Sequence, residues 1–184
     1  MKEKEIRLLE EIDEKLLLRA LSAPVSTPRA ILYLDLGVLP LRYVIITRRL
    51  MYLHYILNQD KKTMLSKFFF SQNAKPLKGD WCLTIQKDMK LLGLNTLSLE
   101  DIQKLKKTEF KNNINEAVRR IAFSEILQIK NQKNKIKHIQ YEYFQMQDNF
   151  KPNNLTNDEV RYIFLARCRM LYIQNNYSSQ YKKS

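Results

Sequence analysis

Residues 33–57, YLDLGVLPLRYVIITRRLMYLHYIL, decide how the rest of the chain is read. Gly37 supplies a position with no Cβ penalty, and Pro40 sits where a helix would begin, its fixed φ suiting the first turn. An apolar run follows, broken only by Arg42, Thr47, the pair Arg48-Arg49, and His54. A helix that apolar on most sides belongs in an interior, so its arginines must reach an edge or meet acidic partners. Asp35, Asp88 and Glu159 are the acids expected to pair with Arg48-Arg49 and with Arg167 and Arg169. The competing reading is a groove for a nucleic-acid backbone. Asp35, a single acid in an apolar setting, reads as a turn or cap residue and not as a metal ligand.

Upstream, Ile6, Leu9, Ile12, Leu16, Leu17, Ala20 and Leu21 recur at helical spacing, which predicts an amphipathic helix over about 3–22, closed by Pro24. Glu10-Glu11 and Asp13-Glu14 are expected on its solvated face, paired with Lys4 and Lys15. Thr27 reads as an N-cap with Pro28 at the first helical position of a short helix over about 28–34, which turns at Gly37. The buried helix then covers about 40–58. Downstream, Asp60 is expected to cap a helix over 61–73, and Asp80 one that runs to about 92. Ser98 with Asp101 has capping-box form, and Thr108 is expected to cap a helix over 109–131 with Phe110, Ile114, Val118 and Ile121 inward. Residues 131–137 form a basic bridge, and 139–150 are ambiguous. Thr156 with Glu159 opens a last helix to about 176. The expectation is an all-α fold of six to eight irregularly packed helices, one domain over 1–178 with a frayed tail at 179–184.

Composition agrees. Three glycines in 184 residues argue against a β-rich fold of many tight turns, and abundant Leu, Ile, Lys, Gln and Glu favour helix. Cys82 and Cys168 have no second Cys or His at zinc spacing, so they read as buried thiols of a reducing compartment. The N-terminal MKEKEIRLLEEIDEK is charged throughout, unlike a secretory leader. The apolar run near 44–57 is too short for a membrane span and contains two adjacent arginines. An intracellular setting, in cytoplasm or nucleus, follows by elimination.

The net charge is +13, and its distribution says more than its size. Residues 1–20 hold five basic and six acidic side chains, whereas 103–138 hold ten basic and three acidic. Such clustering suggests a polyanion partner. The residues expected to contact phosphates are Lys104, Lys107, Lys111, Arg119, Arg120, Lys130, Lys133, Lys135 and Lys137, with Arg48 and Arg49. Tyr141, Tyr143, Phe144, Tyr177 and Tyr181 are candidates for stacking on unpaired bases, with core packing the favoured reading for Tyr141, Tyr143 and Phe144. For catalysis there is little to assemble. His54 reads as a satisfied interior or edge histidine, and His138 follows Lys135 and Lys137, where its charge is suppressed. Gly37, Gly79 and Gly93 stand alone, so no phosphate loop is present. No cofactor or metal is expected.

The chain also resembles a known family. Tyr33-Leu34-Asp35 with Gly37, Leu39-Pro40 and Arg42, then Arg48-Arg49-Leu50 and Leu53-His54 with Ile56-Leu57, are similar to the segment just downstream of the reverse transcriptase domain in invertebrate non-LTR retrotransposons. Ala23-Pro24-Val25-Ser26-Thr27-Pro28, Lys78-Gly79-Asp80-Trp81, Leu92-Gly93, Phe110-Lys111, Ile163-Phe164, Arg167-Cys168-Arg169-Met170-Leu171 and Asn176-Tyr177 resemble further family positions in the same order, over roughly 10–178. The family's Tyr-x-Asp-Asp motif lies upstream of the similar segment, and its Cys-x-x-Cys zinc element follows the Asn-Phe position. Neither is present here. The resemblance implies a non-catalytic, thumb-like or linker segment that holds template RNA or target DNA, its upstream polymerase domain supplying the Mg²⁺ chemistry. The alternative is an unrelated helical adaptor that binds acidic protein surfaces.

Overall fold

Helix ends leave four backbone donors or acceptors each without an intrahelical partner, and at three helix starts here a local side chain satisfies one of them. The computed structural model describes residues 3–132 and 156–167. Among these are eight α-helices and no strand: α1 (Glu3–Ala20), α2 (Arg29–Leu36), α3 (Leu41–Leu57), α4 (Met64–Ala74), α5 (Trp81–Leu92), α6 (Leu99–Lys104), α7 (Lys107–Asn131) and α8 (Asn157–Arg167). The expected all-α fold is observed. Ser98 and Asp101 form a reciprocal capping box at α6. Thr156 and Glu159 do the same at α8, with N-to-side-chain distances of 2.7 and 3.3 Å. Gly37 closes α2 at φ 64°, ψ 22°, a left-handed position where an L side chain is strained.

Three expected caps fall elsewhere. Thr27 is buried and its hydroxyl has no partner, and Pro28 occupies the N-cap of α2. Thr63 caps α4 by accepting from the Ser66 N–H. Asp60 instead accepts from Lys62 N–H at 2.9 Å, an Asx-turn that delays the helix. Thr108 lies inside the first turn of α7, because the Phe110 N–H already donates to the Lys106 carbonyl at 3.0 Å. Asp80 holds the predicted N-cap position of α5, but its carboxylate accepts from the Leu77 N–H at 2.7 Å and makes no bond into the helix.

The chain divides into two compact units, Met1–Leu41 with Ala122–Ser184, and Arg42–Ile121. In the first, α2 is central: Ala30 to Asp35 are all buried. Ala30 to Leu34 cluster with Leu18 of α1, Leu21 just beyond its end, Ile126 of α7, and Phe164 and Leu165 of α8. Burying a side chain such as Leu32 or Phe164 stabilises by about 1.5–3 kcal/mol. Asp35 is 0% exposed within α2, so it is neither a turn nor a cap residue. The second unit buries Tyr43, Leu50 and Leu53 of α3, Phe69 of α4, Ile85 and Leu92 of α5, Ile102 of α6, and Phe110, Ile114 and Val118 of α7.

The orientation of α1 corrects the sequence reading. Leu9, Ile12 and Leu16 are exposed together with Leu8, whereas Glu10 and Glu14 are buried. The helix is apolar on two sides, so periodicity alone cannot choose the inward one. Partners on α2 decide it. The Tyr33 hydroxyl donates to Glu14 Oε1 at 3.3 Å, and Arg29 Nε lies 2.8 Å from Glu14 Oε2, an ion pair without hydrogen-bond alignment. Burial pushes the Glu14 carboxyl up from its ordinary 4.5, and Arg29 and Tyr33 only partly offset that. Burial and the neighbouring Glu10 raise Asp13 as well.

A carboxyl raised in the folded state binds its proton more tightly there than in the unfolded chain. Its stabilising contribution is present below the unfolded value and is lost as pH rises through the folded one. Thermal unfolding of Glu14→Gln against wild type should therefore show a gain in relative stability on going from pH 4 to pH 7, with Gln retaining an acceptor for Tyr33. A stability difference that stays constant across that range would show that Glu14 is not a strained acid.

Candidate nucleic-acid interface

Seven of the eleven expected contact residues lie in the unit 42–121: Arg48, Arg49, Lys104, Lys107, Lys111, Arg119 and Arg120. All but Arg49 are exposed. Lys133, Lys135 and Lys137 lie outside the described residues, as do His138, Tyr141, Tyr143, Phe144, Cys168, Arg169, Tyr177 and Tyr181. Arg167 closes α8, and Glu159, named as a partner for it, is engaged in its capping box.

Lys130 requires correction. It is 3% exposed, and burial lowers the pKa of its ammonium. It continues a row of buried residues spaced four apart along α7, after Phe110, Ile114, Val118, Ala122 and Ile126. It is therefore buried and not on a phosphate-facing surface.

The linear strip Lys104–Lys107–Lys111 is also interrupted. Lys104 ends α6, and Leu105 is extended at φ −67°, ψ 140° before α7 begins. The break is held from α3. His54 Nε2 donates to the Leu105 carbonyl at 3.0 Å, and its ring lies 5.5 Å from that of Phe110 at an interplanar angle of 23°. Asn58 approaches the same nitrogen at 3.4 Å, but two donors do not bond each other, and its amide donates to the His54 carbonyl at 2.9 Å instead. His54 is thus a satisfied interior histidine. The break leaves Lys106 and Lys107 at the start of α7, where unpaired N–H groups already carry partial positive charge and where carboxylates are the stabilising choice. Glu109 is the acid of that turn.

The two central arginines behave differently. Arg48 is exposed. Arg49 forms a bidentate pair with Asp88, Nε to Oδ2 at 2.7 Å and Nη2 to Oδ1 at 2.8 Å, the partner proposed from sequence. Burial pushes the Asp88 carboxyl up, and the hydrogen bonds and charge of Arg49 oppose this without overcoming it. Arg49 is therefore a structural cation.

Grouping by unit exposes a wider asymmetry. Residues 42–121 contain sixteen basic and seven acidic side chains, +9 of the chain's +13. Fourteen of those cations are exposed, against five exposed acids. Lys61, Lys62, Lys67, Lys75, Lys78, Lys87 and Lys90 belong to this set and were missed from sequence, because no short window holds many of them. A tally over 42–93, ten basic against three acidic, carries the signal. The surface can bind a polyanion by displacing counterions. A cavity of about 300 Å³ in the same unit is lined by Phe69, Cys82, Ile85 and Met89 among others. Burial, and then the charge of Asp80, raise the Cys82 thiol, which makes it a poor nucleophile.

No protein-family model, curated protein or solved structure matches the chain. No single described helix is long and apolar enough to cross a membrane.

The Arg49–Asp88 pair supplies a stability test. Asp88→Ala strands a mostly buried guanidinium and should cost about 3 kcal/mol in denaturant unfolding, whereas Arg49→Met with Asp88→Leu should recover most of the loss. Equal losses in the single and double variants would contradict the pairing.

Proposed function

We propose that this chain is a non-catalytic helical segment that binds RNA or DNA through the cationic surface of residues 42–121. It works inside the cell, in cytoplasm or nucleus. In this reading it is a thumb-like or linker element of the kind that follows the polymerase domain in non-LTR retrotransposons, with RNA-directed DNA synthesis carried out upstream. The observation that carries the binding claim is the exposure of fourteen cations against five acids on one compact unit. Phosphate contacts of this kind position a nucleic acid without reading its sequence.

A second reading, a helical adaptor for acidic protein surfaces, draws support from the exposed apolar face of α1, Leu8, Leu9, Ile12 and Leu16. Salt separates the two. Contact with about five phosphates gives a slope near −4 for log affinity against log salt, whereas docking through an apolar face depends weakly on salt.

Gel shifts over a salt series test the proposal. Neutralising Lys104, Lys107, Lys111 and Arg119 to Gln should flatten the slope by about one for each contact removed and weaken binding alike for all sequences. A flat salt dependence in the wild type would overturn it.

A further inference from the structure

The unit 42–121 holds a second feature that bears on which nucleic acid it takes, and this inference rests on the binding proposal above. On α3, Arg48, Tyr52 and Tyr55 are spaced i, i+4 and i+7 and therefore share a face. All three are exposed, Tyr52 at 46% and Tyr55 at 51%. The two tyrosine rings lie 5.9 Å apart with planes only 16° from parallel. Trp81, the first residue of α5, meets the Tyr52 ring edge-on at 5.8 Å and 76°. It meets Phe69, a core residue of α4, at 5.8 Å and 74°. Two exposed tyrosines and the half-buried Trp81 thus form a series, one end of which is held by contact with the core. Rings fixed in this way lose little freedom when a planar ligand stacks on them.

The charges around them select the ligand. Between residues 42 and 93 the exposed cations are Arg48, Lys61, Lys62, Lys67, Lys75, Lys78, Lys87 and Lys90, and the exposed acid is Asp60. Lys78 lies three residues before Trp81. The acids nearest the rings in sequence are engaged: Asp80 accepts from the Leu77 N–H, Asp60 from the Lys62 N–H, and Asp88 is held by Arg49. An aromatic cage for a quaternary ammonium gains from carboxylates, and this setting repels cations. A base joined to a phosphate uses both the rings and the cations.

We propose that Tyr52, Tyr55 and Trp81 form a stacking platform for unpaired bases of single-stranded nucleic acid, with Arg48 and Lys78 holding the adjoining phosphates. Trp81 is the only tryptophan in the chain, so its emission reports on the platform directly. The full chain is titrated with oligothymidylate of about a dozen nucleotides and with an abasic oligomer of the same length and charge. Thymidylate should quench Trp81 and bind at least about fivefold more tightly than the abasic strand, the lower end of what one stacked base contributes. Tyr52→Leu with Tyr55→Leu should bring thymidylate down to abasic affinity, while the paired Phe substitutions keep the difference. If the Leu variant fails to fold, the Phe variant and the wild-type contrast still decide. Equal binding of both oligomers without quenching would overturn the platform and leave the phosphate proposal standing. Binding of neither would overturn both.

Discussion

Arg49 and Asp88 must meet for α3 and α5 to share an interior, and much else in residues 42–121 depends on that contact. Neither group tolerates burial alone, and two parallel hydrogen bonds fix both the distance and the direction of approach. Arg49 pairs with Asp88 near the end of α5, and Tyr52, one turn further along α3, reaches Trp81 at its start. The ion pair and the ring contact thus join α3 to α5 at two places. Two residues beyond Tyr52, His54 and the Leu105 carbonyl fasten the α6–α7 break to the same helix. The apolar stretch that dominates the sequence thus carries two polar anchors, each satisfied by a residue far away in the chain.

Local physics was legible in the sequence, and long-range choice was not. The capping boxes at Ser98 and Thr156 and the glycine stop at Gly37 involve residues within a few positions of one another, and all were found where expected. The cap of α4 was misplaced because Asp60 and Thr63 both qualify, and the Asx-turn at Asp60 takes precedence. The inward face of α1 depended on Tyr33 and Arg29, which no periodicity in α1 can reveal. Lys130 looked like one more cation in a basic run. Its place in a row of every fourth residue, beginning at Phe110, foretold burial more reliably than its charge foretold exposure.

The candidate site followed the same pattern. Charge density between residues 103 and 138 singles out one cluster of cations, but only contact in space groups Lys61 to Lys90 with Lys104 to Arg120 in one unit. The stacking candidates read from the sequence lie outside the described residues, while the rings around Trp81 are spread over α3, α4 and α5. The remaining unit is nearly balanced, sixteen basic against twelve acidic side chains, and buries two of its acids in α1. Residues 42–121 thus carry +9 of the chain's +13, and the other unit the remaining +4.

Lysine acetylation of the full chain, with and without bound single-stranded RNA, measures that division directly. The account expects protection of lysines between Lys61 and Lys111, with Lys4 and Lys15, exposed on α1, reacting as they do in the free protein. Protection spread evenly over both groups, or strongest at Lys4 and Lys15, would contradict it.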